Sequence, residues 1–186
     1  MVIQKILFPQ IGRCTEQQMY FRAADESQEK KKGIVSADKI KYHYSERRLV
    51  LKKGESVRFD TYFNGFSIDK WKKYTCLDHL FLCLNLQGRI KVTLVSRCLL
   101  HENIIEKILS ETIVDAGIRQ DVSFDYDIRH AKGMLAFELE ALSEEGTLYG
   151  GAYCSEIAKE KLKNIKIGLG ICTFRREDFI EKNLRI

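Results

Sequence analysis

From about residue 49 to residue 154 a period of two dominates, with apolar and polar residues alternating in successive runs, and such runs point to β-strand. Val57, Phe59, Thr61 and Phe63 form one set, and Arg58, Asp60, Tyr62 and Asn64 the other, so one side of a strand faces a core and the other faces outward. The same pattern recurs at Leu80, Leu82, Leu84 and Leu86, then at Ile90, Val92 and Leu94. Gln87-Gly88 falls between these two runs and predicts a hairpin turn joining antiparallel neighbours. Val122, Phe124, Tyr126 and Ile128 alternate with Asp121, Ser123, Asp125 and Asp127. Leu135, Phe137, Leu139 and Ala141 alternate with Ala136, Glu138 and Glu140. Ile104 to Val114 fits a helical stripe as well as a strand, and its all-β surroundings favour strand. Val2 to Phe8 reads as a first strand, and residues 22–46, polar and charged, as a long excursion before the body.

A sheet with one apolar face must cover that face with another layer. The fold class expected is therefore all-β, a two-sheet antiparallel sandwich of jelly-roll type over residues 1–154. Residues 155–164 (SEIAKEKLKN), polar and basic, read as a linker or short helix. Ile165 to Cys172 is then a compact apolar run, followed by a loop and by Phe179, Ile180 and Leu184 at roughly helical spacing. Glu177 and Asp178 fall in the first turn of that helix, where its dipole favours negative charge. A buried strand feeding a helix opens an α/β sheet, but one such unit cannot bury itself. Residues 165–186 are expected to be the truncated start of an α/β domain, and the chain the amino-terminal piece of a larger protein.

Charge and cysteine usage narrow the function classes. Lys plus Arg number 31 against 26 Asp plus Glu, and the formal charge of +5 is spread among acids almost everywhere, which argues against a nucleic-acid partner. The one basic run, Lys30-Lys31-Lys32, reads as a solvated loop. No stretch approaches the roughly 20 apolar residues of a membrane-spanning helix, and the amino terminus lacks the order of a secretion signal, so a cytoplasmic protein is expected. Cys14, Cys76, Cys83, Cys98, Cys154 and Cys172 include no C-x-x-C pair and read as reduced thiols without a chemical role. His43, His79, His101 and His130 show no paired spacing, and Asp121, Asp125 and Asp127 are explained as the wet side of a strand rather than a calcium site. No metal site is expected within this chain.

Two motifs carry a resemblance. Phe59-Asp60-Thr61-Tyr62-Phe63-Asn64-Gly65-Phe66, followed by Trp71, Lys72, Lys73, Tyr74 and Thr75, resembles the amino-terminal β-sandwich of bacterial galactofuranosyltransferases and their polysaccharide-synthesis relatives. Ile171-Cys172-Thr173-Phe174-Arg175-Arg176-Glu177 is similar to the first strand and loop of the family 2 inverting glycosyltransferase domain. The two occur in the order and at about the separation that this family shows. The resemblance implies an accessory domain of an enzyme that transfers a sugar, with galactofuranose the expected one, from a UDP-sugar to a growing polysaccharide. It implies that Thr173 and Arg176 touch the nucleotide. A loop at the carboxyl end of a first parallel strand is where open α/β sheets bind ligands, although Thr173 also reads as a helix cap and Arg176 as a solvated helix residue.

The family's divalent metal (Mn or Mg) site and its carboxylate base would lie beyond Ile186, so the fragment is expected to be inert on its own. Partners implied for the whole enzyme are the UDP-sugar donor and a glycan acceptor, with peripheral attachment to the inner face of a membrane through the missing part. For the β domain, Tyr62, Asn64 and Trp71 are the candidate carbohydrate contacts, because aromatic faces stack on sugars and amides bond hydroxyls. The same motif also reads as packing, with Phe63, Phe66, Trp71 and Tyr74 folded over the sandwich edge. From a different class, the domain reads as a non-catalytic carbohydrate-binding or oligomerisation module, with a homo-oligomer as the product of the latter.

Overall fold

The computed structural model describes residues 1–12, 14–24, 40–101 and 103–156. The expected linker past residue 156, the strand-loop-helix at 165–186 and the Lys30-Lys31-Lys32 run lie outside the described residues. In chain order the elements are β1 (Val2–Lys5), a 3-10 turn (Gln17–Met19), β2 (Arg22–Ala23), β3 (Lys41–His43), β4 (Arg48–Lys52), β5 (Ser56–Arg58) and β6 (Phe66–Ser67). There follow α1 (Ile68–Tyr74), β7 (His79–Leu100), β8 (Asn103–Asp127), β9 (Met134–Ala141) and β10 (Glu145–Cys154). All strand pairs are antiparallel, and the ten strands form one curled sheet ordered β2-β5-β9-β7-β10-β4-β3, with β1 beside β10, β6 beside β9 and β8 beside β7.

The runs Leu80–Leu86 and Ile90–Leu94 prove to be one strand rather than two joined by a hairpin. β7 passes straight through Gln87-Gly88 with an irregular register, Leu86 opposite Gln120 of β8 and Gly88 opposite Ala116. A glycine with φ of 99° serves a bulge as readily as a turn, and a bulge bends the strand without reversing it. Before the bend β7 pairs with β10, and after it with β9. The β9–β10 connection is fastened at the bend itself, where the Leu142 amide donates to the Arg89 carbonyl and the Arg89 amide to Ser143 Oγ.

The bend folds the sheet onto its own apolar face. Phe137 of β9 meets Tyr153 of β10 at 6.4 Å between ring centroids, Phe66 of β6 meets Tyr153 at 4.9 Å, and Phe8, just past β1, meets Phe59, just past β5, at 6.3 Å. The inward set Leu80, Leu82, Leu84, Leu86, Ile90, Val92 and Leu94 is buried, as are Leu135, Phe137, Leu139 and Ala141. Each large aliphatic or aromatic side chain so removed from water contributes ~1.5–3 kcal/mol.

One further expectation is corrected and one is borne out. The strand expected over residues 57–64 ends at Arg58, and Asp60, placed on its wet side, has a carboxylate only 1% exposed that accepts from Arg22 and Arg97. Ile104 to Val114 is strand, part of β8, whose one neighbour among the described residues is β7. Ile104, Ile105, Ile108, Ile113 and Ile118 on β8 are exposed, and so are Leu99 and Leu100 at the end of β7.

A methyl group at Gly88 would meet the Glu145 carbonyl oxygen at 2.4 Å on a backbone that already disfavours any side chain. Gly88→Ala is expected to cost ~2 kcal/mol or more, whereas Gly117→Ala, with nothing within 4 Å, should stay within ~0.5 kcal/mol of the parent; urea unfolding measures both.

Candidate functional site

The loop after β5 turns back on itself. The amides of Asn64 and Gly65 both donate to the Thr61 carbonyl, and the Thr61 hydroxyl donates to the Tyr20 carbonyl at 2.6 Å. This turn reverses the phase that the alternation assigned to Asn64. Its side chain is 0% exposed and points inward, with Nδ2 donating to the carbonyls of Leu7 (2.8 Å) and Tyr20 (2.7 Å) and Oδ1 accepting from the Leu7 amide (2.7 Å). Asn64 therefore ties three chain segments together and has no donor left for a sugar hydroxyl.

Tyr62 does face outward, at 81% exposure, with its ring edge-on to Phe63 at 5.2 Å. Trp71, on α1, stacks on the buried Phe66 at 5.8 Å with the two rings 4° from parallel. The structure does not gather Tyr62, Asn64 and Trp71 into one site: one is an exposed tip, one an internal clamp, and one a lid on Phe66. Thr173 and Arg176 lie outside the described residues.

The aromatic surface that does surround a hollow is elsewhere. A cleft of about 600 Å³ opens between the segment following β1, the β3–β4 hairpin and the middle of β10, and is lined among others by Lys5, Gln10, Tyr42, Tyr44, Arg47 and Tyr149. Its shape follows from local backbone. β10 shifts register against β7 between Leu148 and Gly150, and Gly150, with φ of 155°, brings no side chain into the hollow. The β3–β4 turn places Arg47 at φ of 51°, a left-handed conformation uncommon for a residue with a side chain.

Inside the cleft the tyrosines are braced from behind. Tyr42 stacks on Phe8 at 5.0 Å and meets Tyr44 edge-on at 5.3 Å. Burial pushes the Tyr42 hydroxyl above its ordinary pKa, and the nearby Arg47 charge opposes that rise. The Tyr149 hydroxyl donates to Gln87 Oε1 at 2.8 Å, while the Arg119 guanidinium lies 4.3 Å from the centre of its ring. No Asp or Glu lines the cleft among the described residues, so Lys5 and Arg47 give it a positive character. A second depression, of about 480 Å³ against β8, offers Ser110, Thr112, Ser123 and Asp125 but only Phe124 as an aromatic, and no cation.

Sequence reasoning passed over this cleft because its lining comes from residues 5–11, 42–47 and 149–151, far apart in the chain. The available signal was Tyr42 and Tyr44, two residues apart within a stretch read as a polar excursion, with Arg47 just past its end.

Comparison with known proteins decides the family. Residues 3–156 match the family described as "Galactofuranosyltransferase 2 N-terminal". The chain belongs to that family. The match bears out the resemblance read from the Tyr62–Trp71 motif, and it covers the described β domain from β1 to just past β10. No curated protein matches the chain.

Among solved structures, the chain is similar to the CBM22-1 and GH10 modules of endo-1,4-beta-D-xylanase 10B from Clostridium thermocellum, complexed with xylohexaose. That likeness has 8% identity and a TM-score of 0.40 over 66% of this chain and 23% of that one. It is also similar to the GH115 4-O-methyl-alpha-glucuronidase BtGH115A, with specificity for decorated arabinogalactans, at 12% identity and a TM-score of 0.32 over 59% of this chain and 14% of that one. The chain thus spans less than a quarter of either protein, and neither likeness is close enough to carry an argument.

Substituting Asn64→Ala would strand the Leu7 amide and the two carbonyls it serves, and is expected to cost ~2–4 kcal/mol in urea unfolding. Tyr62→Ala, on the exposed tip, should change stability by no more than ~0.5 kcal/mol in the same measurement.

Proposed function

We propose that the chain is part of a glycosyltransferase that moves galactofuranose from a UDP-sugar to a hydroxyl of a growing polysaccharide, with inversion at the anomeric carbon. The described β domain is its accessory part, and the observation that carries this reading is the family match over residues 3–156. The donor chemistry belongs to the portion beyond the described residues, where Thr173 and Arg176 are assigned to the nucleotide.

Among the described residues no group of three or more His, Cys, Asp or Glu side chains could hold a metal ion, and the proposal places the divalent metal of the enzyme outside them. None of its residues is given a metal role, and the domain by itself is assigned no transfer activity. Among the described residues no helix is long and apolar enough to cross a membrane, and a place at the cytoplasmic face of one is part of the same proposal.

The complete protein, supplied with UDP-galactofuranose and a glycan acceptor, is expected to release UDP, and to stop doing so when Mn and Mg are chelated. Absence of turnover with any nucleotide sugar would overturn the reading.

A second reading, assembly between subunits, is favoured by one observation: Leu99, Ile104 and Ile108 share one exposed face where β7 turns into β8, with Leu100 and Ile105 exposed on the other. Sedimentation of the chain should then show a mass that rises with concentration, and Ile104→Lys with Ile108→Lys should hold it near the monomer. A constant monomer mass in the parent chain removes this reading.

A further inference from the structure

We propose that the cleft between β1, the β3–β4 hairpin and β10 binds a saccharide carrying a phosphate group. This deepens the proposed glycan-building role and rests on it. A volume of about 600 Å³ lies within the range of small-ligand sites. Tyr44 is 40% exposed and is backed by Tyr42, which is itself stacked on Phe8, so an apolar ring surface is offered at a fixed angle and with few torsions to freeze. The C–H face of a sugar ring suits that surface.

Charge then selects among saccharides. A neutral sugar presents mostly hydroxyl donors and is well served by carboxylates, yet among the described residues none lines the cleft. Two cations do. Arg47 and Arg48 are neighbours in sequence with different assignments: Arg48 is paired with Glu46, whereas Arg47 is exposed, has no carboxylate partner among the described residues, and acts on the Tyr42 hydroxyl through its charge. Arg47 is held in the left-handed region, where strained non-glycine residues cluster at ligand sites. A planar guanidinium matches two phosphate oxygens at once, and Lys5, also in the lining, adds a point charge.

The test is amide NMR on the full chain titrated with galactose 1-phosphate, with inorganic phosphate and with methyl galactoside. Galactose 1-phosphate is expected to bind about tenfold more tightly than either simpler probe, shifting residues 5–11, 42–47 and 149–151. Arg47→Gly suits the positive φ while removing the charge. It should weaken galactose 1-phosphate about tenfold and leave methyl galactoside unchanged, and Tyr44→Ala should weaken both sugars and spare inorganic phosphate. Co-sedimentation with phosphatidylinositol vesicles, lost in Arg47→Gly, would assign the ligand to a lipid headgroup, and its absence with the soluble arm intact would assign a free sugar phosphate. Shifts confined to other regions, no shifts at millimolar ligand, or equal affinity in Arg47→Gly would overturn the proposal. Binding that persists while the complete enzyme turns over no nucleotide sugar would instead overturn the transferase reading alone.

Discussion

The bend of β7 at Gly88 is the constraint from which the rest of the domain follows. One 22-residue strand serves both halves of the sheet, giving its first part to β10 and its second to β9. If the strand ran straight, Leu80 to Leu86 and Ile90 to Leu94 would share one flat apolar face with nothing opposite. Because it bends, Phe137 and Phe66 reach Tyr153, and the sheet covers itself. The absence of a side chain at Gly88 also lets the Glu145 carbonyl come close, which seats the β9–β10 connection against the corner. Curvature, core and the position of β10 are thus one problem with one solution, and the cleft inherits its wall from β10.

Polar side chains hold the edges of this arrangement where apolar packing cannot. Asn64 joins Leu7 and Tyr20 to the loop after β5, and Asp60 joins Arg22 and Arg97. Both are buried groups whose hydrogen bonds are made across long sequence separations, so each fixes a relation between segments that no local preference specifies. Removing one partner of such a set exposes the others to the full cost of desolvation, and this is why these positions bear on architecture more than on ligand contact.

What was legible in the sequence follows the same division. Leu135 to Ala141 and Leu80 to Leu94 could be read as strands because burial on one side imposes a strict period on the residues themselves. Gly88 was misread because a positive-φ glycine between two alternating runs is the same local signal for a tight turn and for a bulge. The choice is made by β9 and β10, some fifty residues later. Asn64 was misread because the alternation was carried past Arg58, while its true partners, Leu7 and Tyr20, lie far upstream. The Tyr62–Trp71 motif signalled the family correctly, yet most of its residues work as packing and clamps, and the cleft with three tyrosines is assembled from segments that no single window contains.

The solitary pairing of β8 has a consequence for how the molecule meets water. Outside the register breaks at residue 109 and at 117–119, amides directed at β7 are locked in the ladder, while the alternate ones have no strand to receive them among the described residues. Deuterium from solvent would therefore enter this ribbon at every second position, writing the pleat of the strand into its isotope content and leaving β7, paired on both flanks, as the slowest backbone in the domain.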